Sequence, residues 1–175
     1  MASSIEQIVL EQTRDVADFP SPGVQFKDLS PLFASPAAMR AVVDDIVQRH
    51  RGEVDLVCGI EARGFVVGAP VALALDVGFV PVRKAGKLPG EVLSETYALE
   101  YGTATIEIQT GAIQPGARVL LLDDVLATGG TASAAVSLLR QAGARVRAFE
   151  ALLELSFLAG RSALEDVPTH ALATV

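Results

Sequence analysis

The sequence predicts a single α/β domain built on a mostly parallel sheet flanked by helices, and three features predict it. Short apolar runs alternate with longer stretches of helical pattern, first as "VDLVCGI", "RGFVVGAPVALAL" and "FVPVRK" over 54–84. The same order returns as "ARVLLLDD", "GGTASAAVSLLRQAG" and "ARVRAFEALLEL" over 117–155. A continuously apolar strand is one covered on both faces, and strand–helix–strand order implies parallel strands joined by right-handed crossovers. Length and composition agree. The 175 residues suffice for one substantial core and not for two, and the chain is 50% hydrophobic with no Trp and 5% aromatics, so that core is aliphatic.

Taken in order, Ser3 and Glu6 form a capping box for a first helix carrying Ile5, Ile8, Val9 and Val16, which ends near Ala17. "DFPSPGVQFKD" (18–28) follows, where Pro20, Pro22 and Gly23 forbid regular helix and force an extended, turn-rich connection. Ser35 before Pro36 reads as an N-cap and a first-turn proline, with Met39, Val42, Val43, Ile46 and Val47 on one stripe. The two strand–helix–strand runs come next, separated by a looser segment from Ala85 to Gly102 that mixes Gly, Pro and charge with alternation. That composition predicts a protruding loop with hairpin character before "TATIEIQT". Gly143 closes the last helix.

Charge narrows the function classes. With 14 Lys and Arg against 21 Asp and Glu, the net charge of −7 argues against nucleic acid held on a broad basic face. The start "MASSIEQIVLEQ" has no basic region leading into an apolar run, and Glu61, Arg63 and Asp76 interrupt the longer apolar stretches, so the expectation is a soluble, cytoplasmic protein without membrane contact. Cys58 is alone, forms no intramolecular disulfide, and reads as an inert core thiol.

The chemistry concentrates in "VLLLDDVLATGGT". Asp123 and Asp124 stand at the carboxyl end of a buried strand, where open parallel sheets bind ligands. The loop Ala127, Thr128, Gly129, Gly130, Thr131 lies between that strand and a helix N-terminus, so its amides, hydroxyls and dipole favour a phosphate, and its glycines let backbone approach closely. The acidic pair can receive ribose hydroxyls or a metal ion beside it. A strand ending in a plain polar turn is the alternative. A Walker B strand needs G-x-x-x-x-G-K-[ST], which is missing, as are G-x-G-x-x-G, G-x-S-x-G and any Cys/His cluster.

"LLLDDVLATGGT" resembles the signature of type I phosphoribosyltransferases, which bind 5-phosphoribosyl 1-diphosphate, and further segments resemble the adenine-specific branch of that family over nearly the whole chain. The resemblance implies the type I phosphoribosyltransferase fold, with an N-terminal hood over 1–34 that binds the base and a flexible active-site loop over 85–102. It implies that Asp123 and Asp124 face the ribose hydroxyls and that residues 127–131 hold the 5-phosphate. "GIEARGF" is similar to the diphosphate loop, with Glu61 and Ala62 at a non-proline cis peptide and Arg63 as the cationic partner. "DFPSPGVQFKD" resembles the base-binding segment, which implies that Phe26 stacks on the purine and that the backbone at Gln25 reads its edge, with Leu155 of "LLEL" on the opposite face. "RKAGKLPG" and "YALEYG" resemble the closing loop. They add Arg83, Lys84 and Lys87 as cations, Glu100 for the purine proton, and Tyr101 beside the base.

Lys27 departs from the family's usual Arg, replacing a planar fork by a point charge that suits an ion pair better than bidentate contact. Arg63 could otherwise be a surface arginine, Glu100 a solvated loop residue, Phe26 a core aromatic, and Arg83 with Lys84 a subunit contact. The activity implied is adenine plus 5-phosphoribosyl 1-diphosphate to AMP plus diphosphate, in a homodimer, with Mg²⁺ bound mainly through the substrate near Asp123 and Asp124. The same fold acting on guanine, xanthine or orotate, or binding its ligands without turnover, remains the alternative.

Overall fold

The computed structural model describes residues 3–98 and 102–175. Its elements run α1 (Ile5–Glu11), β1 (Arg14–Ala17), β2 (Gln25–Asp28), α2 (Ser30–Ala34), α3 (Pro36–His50), β3 (Leu56–Ile60), α4 (Arg63–Leu75) and β4 (Gly78–Lys84). They continue as β5 (Val92–Ala98), β6 (Thr103–Gln109), β7 (Arg118–Leu126), α5 (Gly130–Gln141), β8 (Arg145–Glu154) and β9 (Thr169–Thr174), with two short 3-10 turns over Ser156–Leu158 and Gly160–Leu164.

The main sheet has the order β5-β6-β4-β3-β7-β8-β9. Strands β4, β3, β7, β8 and β9 are mutually parallel, while β6 runs antiparallel to both β4 and β5. The parallel sheet expected from the strand–helix alternation is therefore present, with an antiparallel ribbon at one edge. Successive side chains of each strand serve opposite layers. Leu120 and Leu122 pack with α3 and α4, whereas Val119 and Leu121 pack with α5. Cys58 lies inside the α5 layer, where burial pushes its thiol up to about 12, so it stays an inert core residue.

Helix α3 matches its sequence signals: the Ser35 hydroxyl accepts from Ala38 N, Pro36 opens the helix, and Val42, Ile46 and Val47 are buried. The first helix differs from expectation. Its cap is Ser4, which accepts from Gln7 N, in place of Ser3. It ends at Glu11, and Val16 belongs instead to β1, which pairs antiparallel with β2. Cross-strand charges hold this small hairpin, with Arg14 on Asp28 at 2.5 Å and Lys27 on Asp15 at 2.6 Å. Within 85–102, residues 92–98 form a full strand, paired along its length with β6. Strand β9 and the 3-10 turns before it had no distinct signal in the sequence. Among the described residues no helix is long and apolar enough to cross a membrane.

Candidate functional site

The carboxyl ends of β3, β4, β7 and β8 open into one cleft of about 830 Å³, roofed by residues 23–27 at the start of β2. The site is assembled from segments far apart in sequence. Ile60, Glu61, Ala62 and Arg63 come from the β3–α4 junction, Lys84 from β4, Asp123 to Val125 from β7, and Leu155 from the end of β8. Gln25, Phe26 and Lys27 line the opposite wall.

Next to this cleft, Asp123 and the loop through Thr128, Gly129, Gly130 and Thr131 enclose a smaller cup of about 80 Å³. Gly129 has φ +81° and turns the chain into α5, whose 12 residues start at the cup. Amides left without carbonyl partners in the first turn, together with the helix dipole, make that end favourable for an anion. Ala127 and Thr131 border both spaces, so a ligand can occupy cup and cleft together.

The acidic pair forms the floor. Asp123 Oδ1 accepts from the backbone N–H of Asp124 at 2.8 Å. Arg63 Nε lies 2.7 Å from Asp124 Oδ2, a charge contact whose N–H direction falls short of a hydrogen bond, so among the described residues this buried oxygen has no hydrogen-bond donor. The Arg63 guanidinium also stands 5.1 Å over the Phe26 ring, bridging the aromatic wall and the acidic floor. Phe19 packs edge-on to Phe26 with centroids 5.0 Å apart. The aromatic wall is thus a pair, and Phe19 carries no signal in the sequence beyond its place before a proline.

At the rim, Glu61 gathers the cations. Its carboxylate accepts from Lys84 N at 2.9 Å and Arg83 Nε at 3.2 Å, and also from Lys87 Nζ. Burial acts to raise the Glu61 carboxyl, but these donors outweigh it and hold it below the usual range. Arg83 reaches Lys87 O at 3.1 Å, which folds the 85–87 turn back on β4. The Glu61–Ala62 peptide is cis, as the resemblance implies. Lys27 makes the ion pair with Asp15 that a point charge permits. Tyr97, Phe157 and Leu158 also line the cleft although the sequence singles out none of them. Glu100 and Tyr101 lie outside the described residues.

A family model described as "Phosphoribosyl transferase domain" matches residues 29–155. The adenine phosphoribosyltransferase of Thermobifida fusca is 54% identical over 176 residues, covering all of both chains. The chain belongs to the adenine phosphoribosyltransferase family. The enzyme of that name from Salinispora tropica is 57% identical over 170 residues, with 97% of this chain and 90% of the relative covered. Among solved structures, the adenine phosphoribosyltransferase of Thermoanaerobacter pseudethanolicus superposes with a TM-score of 0.93 at 42% identity, covering 98% of this chain and 100% of that one. The Saccharomyces cerevisiae enzyme, complexed with D-2,5-dideoxy-2,5-imino-altritol 1,6-bisphosphate and adenine, gives 0.91 at 41% identity, covering 96% and 98%.

In this family member the acidic floor carries a cost to folding. Asp123 keeps some surface on the cleft, yet the protein packed around it withholds most bulk solvent. That burial, then the adjacent Asp124 charge, push its carboxyl well above the usual 3.8. Asp124 is raised too, by burial, with Arg63 opposing. For a value raised on folding, the contribution to stability is complete below the unfolded value and is lost as pH rises through the folded one. Asp123→Asn removes the titration while keeping an acceptor for Asp124 N. Without ligand, the variant is expected to melt above the parent at neutral and alkaline pH, with the gap closing as pH falls to the ordinary carboxylate value of 3.8 and below. Differential scanning calorimetry across that range decides, and a gap independent of pH contradicts the assignment.

Proposed function

We propose that the protein is an adenine phosphoribosyltransferase enzyme, a pentosyltransferase that joins adenine to 5-phosphoribosyl 1-diphosphate and releases AMP and diphosphate. The observation that carries this reading is the continuity of the cup with the cleft: an anion seat beside two carboxylates, with an aromatic wall facing them. The yeast relative holds adenine together with a 1,6-bisphosphate, a pair of ligands of that shape.

The 5-phosphate takes the amides and hydroxyls of residues 127–131, and the ribose hydroxyls donate to Asp123 and Asp124. Asp124 Oδ2, buried and without a hydrogen-bond donor among the described residues, suits such a hydroxyl. Diphosphate departure leaves positive charge on the anomeric carbon, which the acidic pair stabilises. Arg63, Lys84, Lys87 and Arg83 neutralise the leaving group; to do so Lys87 and Arg83 exchange the Glu61 carboxylate for phosphate oxygens. Asp123 and Asp124 would stand beside a Mg²⁺ ion that enters with the substrate, which would supply further charge neutralisation on the diphosphate; among the described residues no third His, Cys, Asp or Glu joins them, which suits an ion carried mainly by substrate oxygens. Glu100 is assigned by resemblance to the proton leaving the purine N9, with Tyr101 beside the base, and the 85–102 segment to closing the site against water. The exposed Val66 and Leu73 of α4 suit the homodimer that the resemblance implies, and the buried lone thiol suits a cytoplasmic setting.

Phe26 and Leu155 flank the place for the base. Phe26→Ala is expected to raise the adenine KM by about 5- to 100-fold, the range of one base–aromatic stack, while the KM for the ribosyl diphosphate stays nearly unchanged. Steady-state kinetics with each substrate varied read this directly, and equal changes in both constants assign Phe26 to packing. The function itself is tested by product formation from adenine, guanine, xanthine and orotate with Mg²⁺ and 5-phosphoribosyl 1-diphosphate. AMP from adenine alone is expected. Turnover of another base moves the assignment within the family, and saturable binding with no product makes the protein a ligand-binding regulator.

A further inference from the structure

A hydroxyl from a different element reaches the phosphate cup. Tyr97, next to last in β5, places its Oη 3.0 Å from Thr131 Oγ1. The Tyr97 ring packs against the apolar cluster that includes α5. A Cβ added at Gly130 would stand 3.9 Å from Tyr97 Cδ2 and 3.8 Å from Ala98 O, so the end of β5 lies against the first turn of the helix. Farther along, Gln141 Nε2 donates to Glu95 Oε2, which ties the other end of α5 to the same strand. Tyr97 is thus held where its hydroxyl meets Thr131, with its orientation set by packing and not by that one contact.

We propose that Tyr97 is a positioning residue for the 5-phosphate, donating its proton to Thr131 Oγ1 so that the single Thr131 proton is directed into the cup. The inference rests on the reading of residues 127–131 as the phosphate seat. A threonine hydroxyl has one proton, two lone pairs and a free rotor. A phosphate dianion only accepts, so Thr131 serves it only while donating to it. If Thr131 instead donates to Tyr97, the anion meets a lone pair. Once the anion is present, the direction Tyr97 to Thr131 to phosphate is the one arrangement that forms both hydrogen bonds. Each bond in such a chain polarises the next, and the charged terminus makes the last one the strongest.

The test uses Tyr97→Phe, Thr131→Val and the double variant in the full-length protein. Ribose 5-phosphate binding is measured by titration calorimetry, and KM is measured for both substrates. Tyr97→Phe keeps the packed ring. It is expected to weaken ribose 5-phosphate binding and to raise the KM for the ribosyl diphosphate by about 3- to 10-fold, the range of one hydrogen bond, leaving the adenine KM unchanged. In the Thr131→Val background the same change is expected to add nothing, because the relay is already broken. A purely structural role for Tyr97 lowers the melting temperature without that dependence on background. Wild-type affinity in Tyr97→Phe, or an equal penalty in both backgrounds, overturns the proposal while leaving the phosphate seat in place. Wild-type affinity in Thr131→Val removes the Thr131 hydroxyl from the phosphate contact and Tyr97's role with it, whereas failure of the parent protein to bind ribose 5-phosphate at all overturns the seat itself.

Discussion

Asp124→Asn is expected to lower kcat/KM for the ribosyl diphosphate by about 10- to 100-fold, the value of one hydrogen bond to a charged acceptor. The carboxylate is nearly buried, and its Oδ2 has the Arg63 charge at 2.7 Å but no hydrogen-bond donor among the described residues, so it has capacity for a ribose hydroxyl. An amide of the same shape keeps one acceptor, removes the negative charge that faces the anomeric carbon, and leaves Arg63 without its partner. Arg63 is 40% exposed and can turn to solvent, which limits the damage to the fold. Burial holds the Asp124 carboxyl above its ordinary value, so neutralising it relieves a folding cost rather than adding one. The melting temperature should therefore hold within about 2–4 °C while the kinetics fall. The two readings separate site from scaffold: unchanged kinetics in a stable variant take Asp124 out of the ribose contact, and collapse of both would make it structural.

This opposition between site and stability explains why the acidic floor is so easily read from sequence. Two carboxylates after "VLLL" break the apolar pattern at a strand end, and no local partner in the sequence neutralises them. Helix α3 is legible for the opposite reason, since the Ser35 cap, Pro36 and the apolar stripe all agree on one structure. The β1–β2 hairpin is hidden because nothing in it alternates between apolar and polar; its register rests on Arg14–Asp28 and Lys27–Asp15, pairs that only the turn between them brings together. The same holds for α1, where Val16 continues the helical spacing of Ile5 and Val9 but is drawn into that hairpin. Strand β9 follows Pro168 as six residues of ordinary polarity, and its identity comes from the free edge of β8. Of the site, the contiguous motifs at 61–63 and 123–131 are legible. Phe157 is not, because it joins the cleft by the path of the chain outside any motif, and Tyr97 opens "YALEYG" without any sign there of a contact to the phosphate loop.

Gly160 also lies outside any motif, packed against the backbone of the phosphate loop, and Gly160→Ala is expected to cost about 100-fold in kcat/KM for the ribosyl diphosphate, along with roughly 1–3 kcal/mol of stability. It lies 30 positions after Gly130 yet braces the cup from beneath. A Cβ at Gly160 would sit 2.1 Å from Ala127 O and 3.1 Å from Gly129 N, and one at Gly129 would sit 2.3 Å from Gly160 O. The atoms in the way are backbone, which cannot rotate aside as a side chain tip can, so the methyl group has to displace the loop whose amides receive the phosphate. A shift of about 1 Å there is enough to lose the aligned contacts. Gly111→Ala is the matching control: its φ of +78° makes alanine strained, but no described residue stands within 4 Å of the added carbon. It should lose about 1 kcal/mol of stability and no catalytic efficiency. Calorimetry and substrate-saturation kinetics on the pair distinguish the effects, because wild-type kinetics in Gly160→Ala would mean that the phosphate loop yields freely, and a loop that yields freely cannot hold its amides preorganised for the anion.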